Sequence, residues 1–259
     1  MQTQHANAIT GFYQAIQAIQ EQILSSQMEL LETVAGHMAD AIRQKKRIFI
    51  FGTGHSHMLM EEAYYRAGGI PGAVPVFVSS LMLHGSAGLS SRMERVAGLA
   101  APILDQYTPA AGELIFIYSN SGVNQLPVEL ALDAKSRGMI VVAVCSKEYA
   151  QVAPLSALKQ RLCDVADYAI DNYGIPGDAV LAIEGCPWRV GSSSTISGAL
   201  IWNCLLAEAI TRLSRETADL PVFASFNMAG AKEQNEKLIQ QWASINPHLP
   251  SPPPAASQK

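Results

Sequence analysis

The stretch Arg47-Ile-Phe-Ile-Phe-Gly-Thr-Gly-His-Ser56 decides the fold. Four apolar residues, Ile48 to Phe51, run without a polar break, as in a strand buried on both faces. The run stops at Gly52. Gly52 and Gly54 permit a tight turn and a close approach of backbone to a ligand, and Ser56 stands where it can cap a helix running from Met58 to Arg66. A buried strand, a glycine turn and a helix start together make a corner that suits an anion, because free N–H groups and the helix dipole face the same point. The same residues also fit an ordinary strand-to-helix turn, and this stretch alone leaves both readings open.

Upstream, two amphipathic helices are expected. Ile9, Phe12, Ile16, Ile19 and Ile23 form one apolar stripe over Ala8 to Ser25, and Leu31, Val34, Ala35, Met38 and Ile42 form another over Met28 to Gln44. Both precede the first strand, so they can cap the sheet edge, meet a second subunit or pack within the chain. Downstream, strands are expected at Val74 to Val78 (with Pro75 marking its beginning or an edge), Glu113 to Tyr118, Met139 to Cys145 and Val165 to Ile170. Ser79 to Arg92 reads as an irregular loop, and helices are expected over Glu94 to Gln106 and from about Gln125 to Arg137. This alternation calls for a parallel sheet with helices on both faces. A short strand at Val180 to Ile183, a long apolar helix from Ala199 to Arg215 and a last helix from Ala229 to Ser244 complete the chain. The expected division is a helical segment over 1–46, an α/β domain over 47–246 and a disordered Pro-rich tail over 247–259.

Composition narrows the function. With 259 residues, 49% of them apolar and 15% charged, the chain can bury a full α/β core. A net charge of −4 gives no general attraction to nucleic acid or anionic lipid, so an anion site must be local and built from dipoles and hydroxyls. No signal peptide or membrane span is expected. The four cysteines show no C-x-x-C spacing and suit reduced thiols in a cytoplasmic protein.

Polar turns recur where strands end: Gly52-Thr-Gly-His-Ser56, Ser119-Asn-Ser-Gly122 with Asn124, and Gly191-Ser-Ser-Ser-Thr195. Each opens a helix, and in a parallel sheet such ends share one edge, where ligands bind. Capping accounts for one serine per helix; it does not call for Ser192, Ser193, Ser194 and Thr195 together. The dinucleotide fingerprint fails at His57, and no acid closes the next strand, where Ser79 and Ser80 stand. A P-loop lacks its Gly-Lys-Ser/Thr. His55, His57 and His84 could be weighed as zinc ligands, but two histidines two apart suit a strand face better than a helix start. No metal and no cofactor is expected.

These three turns resemble the SIS, or sugar isomerase, domain, which includes phosphoheptose isomerases and N-acetylmuramic acid 6-phosphate etherases. The resemblance covers roughly residues 28–242, and Ser119-Asn-Ser-Gly122 is its most specific part. It implies a three-layer, flavodoxin-like sandwich with a five-stranded parallel sheet, a phosphorylated-sugar ligand, and homodimers or homotetramers with shared sites. It further implies that Ser119, Asn120, Ser121 and the amides around Gly122 hold the phosphate, that Ser192 to Thr195 complete that cradle, and that Gly52, Gly54, His55 and Ser56 line the sugar side. Asn124 stands where the family often has Thr, which changes the geometry of that cradle but keeps a donor.

Isomerisation needs a base for the proton alpha to the carbonyl and an acid/base to open the ring. The family's glutamate late in the first helix falls here on Arg66. Glu61 and Glu62 lie one turn earlier; Glu62 can pair with Arg66 at i,i+4, which favours Glu61 as base, and His84 is the candidate acid/base. Glu94 and Glu184 are further candidates. The expected function is an aldose–ketose isomerase or related lyase on a hexose or amino-sugar 6-phosphate; a non-catalytic phosphosugar sensor is the alternative.

Overall fold

A computed structural model describes residues 7–250. Helix α1 (Ala8–Arg43) leads into β1 (Ile48–Gly52), α2 (Met58–Ala63) and β2 (Ala73–Pro75). Helices α3 (Ala87–Met93) and α4 (Ala100–Asp105) precede β3 (Leu114–Tyr118), α5 (Gln125–Ser136) and β4 (Ile140–Cys145). Helices α6 (Lys147–Val152) and α7 (Leu162–Val165) precede β5 (Tyr168–Asp171); a hairpin of β6 (Ala179–Leu181) and β7 (Val190–Ser192) then runs into α8 (Ser194–Ser214), and α9 (Ala231–Trp242) follows. Five strands form one parallel sheet in the order β2-β1-β3-β4-β5. This is the expected flavodoxin-like α/β sandwich.

Each central strand divides its side chains between two cores, because successive residues point to opposite faces. Ile48, Ile50, Leu114, Phe116, Val142 and Val144 pack with α1, α2 and α8 on one face. Phe49, Phe51, Ile115, Ile117, Val141 and Ala143 pack with α4, α5 and α7 on the other. Unbroken apolar runs were therefore the right signal for strands covered twice.

Some local expectations hold and others change. The two expected N-terminal helices are present and run on as α1, with the break between them at Gln27, whose φ of −131° is not helical. The break has a cause. Gln27 is buried, its Nε2 donates to the Asp171 carbonyl at 2.8 Å, and its Oε1 accepts from the Asp171 N–H at 2.8 Å. The side chain thus serves as one rung of ladder on the free edge of β5. The loop expected over Ser79 to Arg92 contains α3, and Glu94 lies in the break before α4 rather than in a helix. Pro75 lies on the edge strand β2, the second of the two places its residue type allowed, and closes it.

The first residues of the expected tail are packed. Leu249 is buried with Phe223 and Trp242; just before the tail, Asn246 Nδ2 donates to the carbonyls of Pro71 and Ala73 at 2.9 and 2.8 Å. Residues 251–259 of that tail lie outside the described residues. Among the described residues α8 alone has the length and mean hydropathy, 1.2 over 18 residues, that a membrane span would also have. Its Ile201, Trp202, Leu205 and Leu206 are buried against the sheet and α1, so here its hydropathy belongs to a core helix.

Candidate functional site

The sheet order reverses direction between β1 and β3, and open α/β sheets bind ligands beyond the carboxyl ends of the strands at that point. Both strands end there in a polar turn. A Cβ at Gly52 would lie 2.4 Å from the Ser56 carbonyl oxygen, so only glycine permits this turn. Gly122, at φ +63°, turns the chain after β3 in a conformation that favours glycine. Ser56, Ser119, Asn120, Ser194 and Thr195 converge on one narrow cleft with Tyr118 and Asn172. The open space within it is about 10 Å³, room for a single water-sized sphere. Asn172 Nδ2 donates to Asn120 Oδ1 at 2.9 Å and so orients the loop after β3.

The hydroxyls at these turns do not cap their helices. Asn124 is the N-cap of α5 and Ser193 that of α8, and neither side chain bonds to its own helix. Ser56 does not cap α2, whose N-cap position is His57, again without a side-chain bond. Elsewhere the fold uses such caps: Asn7 Oδ1 accepts from Thr10 N–H at 2.9 Å, Ser86 Oγ from Leu89 at 3.3 Å and Ser146 Oγ from Tyr149 at 3.0 Å. Capping therefore does not explain the polar residues around the cleft.

The third turn differs from the other two. It follows β7 of the antiparallel hairpin, not a strand of the main sheet. Ser192 lies in β7 and is exposed, away from the cleft. The Asp178 carboxylate covers the start of α8: Oδ1 accepts from the Ser193 and Ser194 N–H groups at 3.1 and 2.9 Å, and Oδ2 accepts from Ser194 Oγ at 2.6 Å. An internal anion thus holds part of this helix N-terminus. Of the four residues expected there, Ser194 and Thr195 reach the cleft. Asp178 and Asn172 were missed in the sequence because each sits in a turn-rich stretch whose residues ordinarily bond to their own backbone.

The candidate catalytic residues gather elsewhere. Glu61 faces a more apolar recess of about 250 Å³ on the other flank of α2, beside His57, Met60 and Phe77. His57 Nε2 lies 3.9 Å from Glu61 Oε1, and the rings of His57 and His84 are 5.7 Å apart. The fold therefore brings Glu61 and His84 together through His57, but neither lines the polar cleft. Glu62 is held by Arg66, as its spacing suggested, and accepts from Asn203 Nδ2 at 2.8 Å. Glu94 is the carboxylate drawn into the first turn: it accepts from Thr53 Oγ1 at 2.8 Å, and its own carbonyl accepts from Leu126 N–H at the start of α5. Glu184 is exposed in the hairpin. His55 is exposed on the first turn and does not line the cleft. Among the described residues no three His, Cys, Asp or Glu side chains could jointly hold a metal ion.

Among the described residues two buried hydroxyls have no partner, Tyr118 Oη at the cleft and Ser197 Oγ in the first turn of α8. Burial pushes the Tyr118 pKa well above its ordinary value, and the charge of Glu62 adds to the rise. At neutral pH Tyr118 is thus a protonated donor that no described residue is placed to receive from.

The SIS domain matches residues 11–146, from within α1 through β4 and so including the first two turns. The chain belongs to the SIS domain family. The match stops before the hairpin and α8, so the third turn lies beyond it. UPF0309 proteins of Brucella canis and Brucella ovis are 40% and 39% identical to this SIS protein over 219 residues, covering 85% of this chain and 89% of each relative. A phosphoheptose isomerase from Francisella tularensis has a TM-score of 0.53 at 11% identity, over 78% of this chain and 95% of its own. The sugar isomerase domain of an RpiR transcription factor from Sphaerobacter thermophilus reaches 0.50 at 14% identity, over 92% and 99%. At these identities the two structures share the fold.

Proposed function

We propose that this SIS protein binds a hexose 6-phosphate or amino-sugar 6-phosphate and acts as an aldose–ketose isomerase or related lyase. The observation that carries this is the convergence of three polar turns, none of whose N-cap side chains caps its own helix, on one cleft at the switch point of the sheet. In this reading Ser119, Ser121, Asn124 and the amides around Gly122 take the phosphate, helped by Ser194 and Thr195, and Gly52 to Ser56 line the sugar. No Lys or Arg lines the cleft, so the phosphate charge is met by hydroxyls and the start of α5. The cleft must widen to admit the group. In an isomerase, a carboxylate removes the proton from the carbon beside the carbonyl and the enediol regains it at the neighbouring carbon, with no net change in atoms. Glu61, with His84 as acid/base, and Glu94 are the candidates for that role. We further place the protein in the cytoplasm as a homodimer or homotetramer, in keeping with four free cysteines.

A phosphosugar sensor is the second reading. No carboxylate or imidazole lines the polar cleft, which favours binding without chemistry. A thermal-shift screen of sugar 6-phosphates against the free sugars tests the ligand; a rise in Tm with the phosphates alone is expected. Proton exchange of the bound sugar in D2O, followed by NMR, then separates enzyme from sensor. Glu61→Gln, Glu94→Gln and His84→Ala identify the base by loss of turnover with retained affinity. If no sugar phosphate shifts Tm at millimolar concentration, both readings fall.

A further inference from the structure

By sequence Tyr118 is only the last residue of β3, the neighbour of Ser119. In the fold it lines the polar cleft, yet only 3% of it is exposed. Its Oη is buried and has no hydrogen-bond partner among the described residues. The amide oxygens of the cleft are already engaged: Asn120 Oδ1 accepts from Asn172 Nδ2 at 2.9 Å, and Asn172 Oδ1 accepts from the Gly174 N–H at 2.9 Å. Burial keeps the phenol protonated, so it has a hydrogen to give.

The ring is held in place. Tyr118 packs with Leu59 of α2 in the core beneath α8. A Cβ at Gly198 of α8 would lie 3.0 Å from Leu59 Cδ1 and 3.5 Å from Tyr118 Cδ1, so a glycine stands where the two helices close on the ring. Phe116 stacks against it, with ring centroids 6.5 Å apart. A phenylalanine would fill the same space with no polar atom to bury. An unpaired buried hydroxyl costs stability, and its presence calls for a partner that the fold does not supply.

The side of the sheet decides which part of a ligand that partner belongs to. Helix α5, whose start takes the phosphate in the function proposed above, packs on one face. Tyr118 packs on the other, with α2 and α8, and the turn from Gly52 to Ser56 that leads into α2 is the one assigned to the sugar.

We propose that Tyr118 reads the sugar: its hydroxyl donates to an acceptor oxygen of the sugar and not of the phosphate. This rests on the phosphosugar function. A ligand that brings an oxygen to Tyr118 satisfies the phenol, and one that does not leaves it buried and unpaired, so the residue selects among phosphate esters by what the ester carries.

The test compares the full chain with Tyr118→Phe by titration calorimetry. Affinity for glucose 6-phosphate or glucosamine 6-phosphate is expected to fall about tenfold in the variant. Methyl phosphate, the ester without the sugar, is expected to fare equally with both proteins. In protein labelled with ¹³C at tyrosine Cζ, the signal missing from the variant is expected to move with the sugar phosphate and to stay put with methyl phosphate. Equal affinity of both proteins for the sugar phosphates overturns the proposal and leaves the phosphosugar function standing. An equal loss for methyl phosphate also overturns it, because the hydroxyl would then serve the phosphate or its turn. A Tm that falls in the free variant overturns it too, because the hydroxyl would already have a partner. If the unaltered protein binds neither sugar phosphate, the phosphosugar function falls and this assignment with it.

Discussion

The two ends of β1 and β3 are built on opposite plans. At their N-terminal ends Arg47 and Glu113 form a bidentate pair, with Nε–Oε1 at 2.6 Å and Nη2–Oε2 at 2.8 Å. Glu113 also accepts from the Arg47 and Ala110 N–H groups, and Arg47 donates to the Tyr107 and Thr108 carbonyls. Only 6% of the Glu113 side chain is exposed, and the pair closes its own hydrogen bonds. At the C-terminal ends of the same strands the Tyr118 and Ser197 hydroxyls are buried without partners among the described residues, and the turn after β3 leaves the start of α5 without a side-chain cap. Groups that bond to one another hold a fold together, whereas groups left over are free for something else.

The largest effect is predicted at the closed end. Glu113→Ala leaves the Arg47 guanidinium, only 15% exposed, without its partner, and is expected to cost about 3 kcal/mol in urea unfolding without changing ligand affinity in the protein that remains folded. A loss below about 1 kcal/mol would mean that the pair is no different from a surface salt bridge, and the contrast would dissolve. At the open end, Ser121→Ala is predicted to weaken sugar-phosphate binding about tenfold while changing stability by less than about 0.5 kcal/mol.

A true cap sharpens the contrast. Ser86→Ala removes the bond from Leu89 N–H and should cost about 1 kcal/mol by thermal denaturation; equal losses at Ser121 and Ser86 would show that the open end is capping after all. Tyr118→Phe deletes an unpartnered buried hydroxyl, so stability is expected to hold or rise slightly, by up to about 1 kcal/mol. A fall of that size would show that the hydroxyl is already satisfied in the free protein.

The smallest effect concerns His248, whose pKa burial lowers from the ordinary 6.5. The folded state then favours the neutral ring, and the unfolded chain binds the extra proton. The contribution is fully present above pH 6.5 and is lost as pH falls from there through the lowered pKa. Unfolding free energy should therefore decline on acidification through that window, and His248→Phe should flatten this part of the curve.

Much of this was legible because it depends on neighbours in sequence. Apolar runs at 48–51, 114–117 and 140–145 can only be strands covered on both faces, and the glycines at 52 and 122 answer local backbone demands. The polar turns at 52–56 and 119–124 belong to the same class: a strand, a turn and a helix start need no distant partner to be recognised. Tertiary structure alone decided what those turns are free to do. Asp178 reaches the start of α8 from 15 and 16 residues away, and Gln27 completes the edge of β5 from 144 residues away. Glu61 was chosen by its spacing and His84 by its place in the loop after the second strand, yet they meet around His57 and not in the cleft, a placement set by how α2 lies against the rest of the fold. Which hydroxyl caps a helix and which stays open depends on whether some other group arrives first, and only the folded chain brings those groups together.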